Sequence, residues 1–275
     1  MKIVTTTSVY PPCTDMAQII HRLAALGFDG MDIAFDYCVQ DKTYPFMTDG
    51  YEDWAGSLRM EAEASGIFFT HGHAPFDASG RGDIVERTLR CASLLGVRYV
   101  VVHPLWRKAD GSFYEDPAEF ISVNKEAIQP ILAAAEKHGV VILSENLLWG
   151  ASIPAENIAD LVKAVDSPRF GWCYDTGHAN AFGRSFDALK DVSRVPVSLH
   201  IQDNHANGRD DHLIPGDGNI DWYGFMKVLK GIGYPGEFVI EAHHQTLEME
   251  DDKRDPFLAE LLRRARELNA FYEGL

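Results

Sequence analysis

Eight short runs of β-branched and other apolar residues recur along the chain, and each is followed by a longer segment with helical spacing. The runs are Ile3–Thr6, Gly30–Ala34, Ile67–His71, Tyr99–His103, Val140–Glu145, Phe170–Tyr174, Val197–Gln202 and Phe238–Glu241. They are apolar on both faces, as buried parallel strands are. The helical segments are Asp15–Leu26, Glu52–Ala64, Asp83–Leu95, Pro117–His138, Pro154–Val165, Phe186–Asp191, Trp222–Lys230 and Pro256–Tyr272. Gly27, Gly66, Gly96 and Gly139 stand where C-terminal caps belong, and Pro117 and Pro154 stand near helix starts. This alternation predicts a single (β/α)₈ TIM barrel over residues 1–275, an architecture that commonly fills about 250 residues as one domain. A doubly wound nucleotide-binding sheet needs a glycine-rich loop after its first strand. The loop here, TTSVYPPC, has no glycine.

A barrel of this kind carries its chemistry at the C-terminal strand ends. Strand three ends in HGHAPF with His71 and His73, strand four in His103, and strand five in Glu145. Strand six ends in CYDTGH with Asp175 and His178. Strand seven brings His200 and Asp203, and strand eight Glu241 and His243. Most of the eleven histidines fall at these ends. A carboxylate delivered to a barrel mouth by an apolar strand is partly desolvated, so it must pair, protonate or bind a cation. Two Glu, one Asp and one imidazole make a mostly oxygen shell suited to Mn²⁺, Mg²⁺, Co²⁺ or Zn²⁺.

The loop NHANGRDDHLIPGDGNIDW follows strand seven. Asp210 and His212 in it are separated by one residue, and in an extended stretch that spacing puts both side chains on one face. Gly216 and Gly218 suit the turn before the next helix, with Asp217 or Asp221 near its N-terminus. Trp106, Trp149, Tyr10, Phe35 and Trp172 follow strands or lie near them, which suits the walls of a sugar pocket. Arg107 and Lys108 are placed to meet a substrate phosphate, and Asp203 to orient a ligand or cap a turn.

Composition narrows the partners. With 41 acidic and 25 basic residues the formal net charge is −16. Phosphate backbones are gripped by clustered Lys and Arg, so nucleic acid is a disfavoured partner. Cys13, Cys38, Cys91 and Cys173 are scattered without a C-x-x-C pair and read as reduced thiols of a cytoplasmic protein. The N-terminus has no signal-peptide pattern, and no apolar run is long enough to span a bilayer.

SEN, YDTGH, HIQDN with DDHLIPGDGNIDW, and VIEA occur in this order on successive strands. Together they resemble the xylose-isomerase-like barrel superfamily, which contains sugar and sugar-phosphate isomerases and epimerases and also endonuclease IV. The resemblance runs over essentially the whole chain. It implies that Glu145, Asp175, His200 and Glu241 bind one divalent cation, and that Glu145 and Glu241 shuttle a proton as in the ketose 3-epimerases. His178 then lies beside the substrate or at another metal.

Endonuclease IV holds three zinc ions with nine ligands. By motif the counterparts here are His73, His103, Glu145, Asp175, His178, His200, Asp210, His212 and Glu241. Typical 3-epimerases lack the His73 and His103 equivalents. They carry an arginine six residues after the strand-seven histidine, where this chain has Ala206, and Arg209 is the nearest arginine.

The expected activity is divalent-metal-dependent isomerisation or epimerisation of a sugar or sugar phosphate, by proton transfer through an enediolate. The alternative is a multinuclear zinc phosphodiester hydrolase. The expected substrate contacts are His178, Trp106 and Arg209, and a homo-oligomer is compatible with either activity. In the sugar reading, His73, His103, Asp210 and His212 hold further metal or substrate.

Overall fold

The computed structural model describes residues 1–275. Its eight strands are β1 (Ile3–Thr6), β2 (Gly30–Ala34), β3 (Phe68–Asp77), β4 (Tyr99–His103), β5 (Val141–Glu145), β6 (Phe170–Asp175), β7 (Ser198–His200) and β8 (Phe238–Ile240). Every pairing between consecutive strands from β1 to β7 is parallel, and β8 lies parallel to β1. A single parallel bridge, Ile201 with Ile240, closes the ring between β7 and β8. There the Ile201 N–H donates to Val239 O at 2.8 Å, and the Glu241 N–H donates to Ile201 O at 2.9 Å. The fold is a (β/α)₈ TIM barrel, as the alternation of runs predicts.

The helices are α1 (Met16–Leu26), α2 (Phe35–Cys38), α3 (Tyr51–Ala64), α4 (Asp83–Leu95), α5 (Pro117–Ala127), α6 (Gln129–His138), α7 (Ala155–Val165), α8 (Thr176–Asn180), α9 (Trp222–Gly231) and α10 (Asp251–Gly274). Their apolar faces bury Ile20, Leu23, Leu89, Ile131, Ile158 and Phe225 against the outer surface of the sheet. The inner face is organised by alternation along each strand. Leu143 and Glu145 share that face on β5, Cys173 and Asp175 on β6, and Ser198 and His200 on β7. Val101, Leu143 and Cys173 form a small buried cluster of their own inside the barrel. This cluster shares the barrel interior with the buried polar residues Asp32, His71 and Ser198.

Several segments differ from the sequence expectation, among them Phe186–Lys190, a 3₁₀ turn in place of the helix expected over Phe186–Asp191, and α8, which has no expected counterpart. The helix expected over Pro117–His138 breaks at Ile128, because Pro130 in the first turn of α6 has no N–H to continue the α5 ladder. Strand three runs on to Asp77, so His71 is an interior residue rather than a strand end. Its ring nitrogens pair with Ser198 Oγ at 2.9 Å and Thr70 Oγ1 at 2.9 Å. The short helix α2 directly after β2 has no counterpart in the apolar spacing. Helix α10 begins at Asp251, ahead of Pro256. Arg254 anchors that extra turn by donating to Thr246 O at 2.9 Å and Met249 O at 3.0 Å.

No helix is long and apolar enough to cross a membrane.

Candidate metal centre at the barrel mouth

Glu145, Asp175, His200 and Glu241 come from four consecutive strand ends, β5 to β8, and each offers a ligand atom within 4.8 Å of the other three. All four are buried. His200 Nδ1 lies 3.0 Å from Glu145 Oε1 and 3.3 Å from Glu241 Oε2. Glu145 Oε2, Asp175 Oδ2 and His200 Nε2 have no hydrogen-bond partner. Burying unpaired carboxylate oxygens beside one another is costly unless a positive charge joins them. The donor set of three carboxylates and one imidazole, with two buried carboxylate oxygens lacking a partner, fits a divalent cation.

Two further groups adjoin this one. His73, His103 and Glu145 lie within the same 4.8 Å limit, as do His178, Asp210 and His212. His73 Nε2 is 3.0 Å from His103 Nε2, and His103 Nε2 is 3.3 Å from Glu145 Oε2. Asp210 Oδ2 stands 3.3 Å from His178 Nε2 and 3.1 Å from His212 Nε2. His178 Nδ1 faces Asn146 O at 2.9 Å and Glu145 Oε1 at 3.4 Å, so this imidazole spans the gap between two groups. His212 adopts the left-handed backbone region at φ 47°, a strained setting for a residue with a Cβ.

Burial pushes the Asp175 carboxyl up to about 7; the His178 charge opposes the rise, and Glu145 and Glu241 add to it. Glu145 goes the other way. Burial again favours its neutral form, but the His200 charge and the close imidazoles of His103, His178 and His200 hold it well below the usual carboxylate range. Glu241 is also held low, against burial, by His200 and His73. Burial disfavours the charge on His73, yet its bond to Glu241 and the charges of Glu241 and Glu145 raise it to about 9. His178 is raised, against burial, by Asp175, Asp210 and Glu145. The carboxylates thus favour the charged form of the imidazoles beside them, and a divalent cation held here would supply positive charge in the same place.

Several residues outside the strand-end pattern hold these groups. The Asn146 side-chain amide donates to Asp175 O at 3.0 Å, and its carbonyl accepts from Asp175 N at 2.8 Å, clamping β5 to β6. Gln202 donates through Nε2 to Asp210 Oδ1 at 2.7 Å and to Asp175 Oδ1 at 3.3 Å. Gly177 makes room for that amide, since a Cβ there would lie 2.0 Å from Gln202 Oε1. Asp203 caps the loop after β7, accepting from Gly216 N, Ile220 N and Trp222 Nε1. Asp32, in the middle of β2, is fully buried and forms its own close group with His73, His200 and Glu241. His243 and His244 crowd His212, with ring centroids 4.4 Å and 4.2 Å away.

The rim separates the aromatic expectations. Trp106 and Trp149 stack at 4.7 Å between centroids, with Phe113 parallel to Trp149, and form a half-buried wall beside the β4 and β5 ends. Trp172, Tyr10 and Phe35 are instead fully packed. Trp172 sits on the outer face of β6 and donates to Arg194 O at 2.9 Å, because strand alternation turns it away from the mouth. Lys108 pairs with Glu119 at 2.6 Å, and Arg107 stacks over Trp106 at 4.4 Å. Arg209 is largely exposed, its Nε 3.5 Å from Asp211, outside the ligand groups. An apolar groove also runs along the flank between Phe186, Leu189, Val195 and Val228, but it contains none of these residues.

A protein of Methanocaldococcus jannaschii, itself uncharacterised, is 32% identical over 185 residues, and inosose isomerase of Bacillus licheniformis is 27% identical over 177 residues. The alignments cover 62% and 60% of this chain, and span 62% of the length of each relative. Among solved structures, D-psicose 3-epimerase with D-tagatose from Clostridium cellulolyticum H10 superposes with a TM-score of 0.76 at 21% identity, covering 98% of this chain and 99% of that one. The IOLI protein with a binding zinc atom also gives 0.76, at 19% identity, covering 95% and 96%. The model of the xylose isomerase-like TIM barrel matches residues 20–267, and the chain belongs to that family.

Proposed function

We propose that the protein is a divalent-cation-dependent isomerase or epimerase of a sugar or sugar phosphate. The observation that carries this reading is the convergence of Glu145 and Glu241 on one ring nitrogen of His200, at 3.0 Å and 3.3 Å. Two carboxylates that arrive at one point from different strand ends, β5 and β8, can both reach a substrate carbon held there. Glu145, Asp175, His200 and Glu241 hold the cation, which when bound polarises a substrate carbonyl and makes the neighbouring C–H more acidic. One glutamate takes the proton from that carbon, leaving an enediolate. The other, which has to enter the turnover protonated, gives its proton to the opposite face or to the adjacent carbon, and exchange with solvent resets the pair. The two differ in setting: Glu145 is fully buried and contacts His103, His178 and His200, whereas Glu241 keeps slight exposure beside His73. Trp106 and Trp149 supply a flat apolar wall for a sugar ring face, and His178 lies where it can contact a hydroxyl. The neighbouring D-psicose 3-epimerase and the inosose isomerase relative support carbohydrate chemistry, and the zinc-bound neighbour supports a metal.

Incubation with unphosphorylated and phosphorylated ketoses and Mn²⁺ in D₂O tests this. The expected product is an epimer or an aldose carrying deuterium at the reacting carbon. No conversion of any ketose contradicts the reading.

A second reading has its own observation. The groups His73–His103–Glu145 and His178–Asp210–His212 flank the central one and share or touch its residues, which suits a multinuclear phosphoester hydrolase. The net charge of −16 opposes a nucleic-acid substrate. A small phosphoester fits better.

A further inference from the structure

Asp32 is a fully buried carboxylate, and neither of its oxygens has a hydrogen-bond partner. It belongs to β2, in register with Thr6 on one side and His71 on the other, one level below the mouth. It offers an oxygen within 4.8 Å of ligand atoms of His73, His200 and Glu241. The proton shuttle described above does not use it. A bare carboxylate in such a place weakens a fold unless something nearby needs its charge.

His200 has the complementary deficit. Its Nδ1 faces Glu145 and Glu241, the side on which a cation is held, and its Nε2 is buried without a partner. An imidazole that gives Nδ1 to a cation carries its proton on Nε2. Metal-binding histidines as a class pass that second N–H to a carboxylate, a carbonyl or a water, which fixes tautomer and ring orientation and makes the ligand more basic. The buried carboxylate near His200 and outside the ligand set is Asp32, which has an oxygen within 4.8 Å of a ring nitrogen of His200 and no hydrogen bond to it in this arrangement. Cys173, on the neighbouring strand, is a weaker acceptor beside the same ring.

We propose that Asp32 is the positioning residue for His200, the carboxylate behind the imidazole that sets how tightly the barrel mouth holds its cation. The assignment rests on the cation reading above. It deepens that reading by naming a residue that touches neither substrate nor cation. It also separates Asp32 from a packing residue. A residue kept for packing stabilises the empty protein, whereas an unpaired buried carboxylate does not.

The test is titration of the metal-free protein with Co²⁺ alone, followed by its d–d absorption, in wild type, Asp32→Asn and Asp32→Ala. Thermal midpoints of the metal-free proteins are measured alongside. The expected result is a Co²⁺ dissociation constant raised about 10- to 100-fold in both variants, with an altered band shape. The metal-free midpoint of Asp32→Asn is expected to be unchanged or higher. Unchanged affinity in the variants overturns the assignment. So does weaker affinity accompanied by a lower midpoint in metal-free Asp32→Asn, which would make Asp32 a structural residue. Failure of the wild type to bind Co²⁺ is a distinct outcome, and it withdraws the cation reading together with this one.

Discussion

Nδ1 of His200 lies 3.0 Å from Oε1 of Glu145, and neither residue retains any solvent exposure. A charged pair removed from water in this way needs further polar partners to be tolerable. Here they arrive from Glu241, His178 and His103, so the contact is the centre of a network.

Glu145→Gln and Glu241→Gln each remove a proton carrier while nearly preserving shape. Each is expected to lower kcat by about 10²- to 10⁴-fold on the responsive sugar. Circular dichroism should match the wild type. Loss of the deuterium label from product in either variant, with binding retained, places the residue in proton transfer. Full activity of Glu145→Gln removes it from that role.

Cation affinity should rise with pH. The Asp175 carboxyl, raised to about 7, and the His73 imidazole, raised to about 9, bind protons more readily in the cation-free protein than in isolation. A bound cation displaces protons from such groups, so protons compete with it. The free protein holds more protons than the bound one below these values, which makes the affinity fall as pH drops. Calorimetry between about pH 6 and 9 in buffers of different ionisation enthalpy should show net proton release. Affinity independent of pH over that window contradicts the electrostatic account of the site.

Gly177→Ala is a small change with a large expected effect. The added Cβ would meet Gln202 Oε1 at 2.0 Å and Cδ at 2.1 Å, closer than atoms approach. Gln202 must leave, and its bonds to Asp175 and Asp210 go with it. The expected loss is about 1–3 kcal/mol of stability from overpacking, read as a lower urea midpoint, together with weaker cation binding.

Trp106→Ala removes one face of the stacked wall at the mouth. Aromatic contacts of this kind are worth about 0.5–1.5 kcal/mol, so KM for the sugar should rise about 2- to 13-fold with kcat less affected. An unchanged KM places the substrate elsewhere on the rim.

The sequence made the barrel legible because strand and helix signals differ in period and alternate without interruption. Glu145, Asp175, His200 and Glu241 stood out because each closes an apolar run. Asp32 carries the same kind of signal, a carboxylate inside the apolar run GMDIA, but at mid-strand, where no strand-end rule looks. Asn146 and Gln202 lie within SEN and HIQDN, but their roles stay unreadable there, since their work depends on which strands become neighbours. His71 was misplaced at a strand end because Gly72 and Pro75 hide the continuation of β3. Trp172 looked like a pocket residue until the alternation on β6 was fixed by Asp175, which turns it outward.

Metal content per chain, measured on protein purified without chelator and compared with His200→Ala and Asp175→Asn, tests the central claim most directly. The account predicts one tightly held divalent ion per wild-type chain, lost in both variants, with sugar conversion abolished by chelation and restored on adding the ion back. No bound ion, or two to three ions accompanied by phosphoester cleavage and no action on sugars, would contradict it.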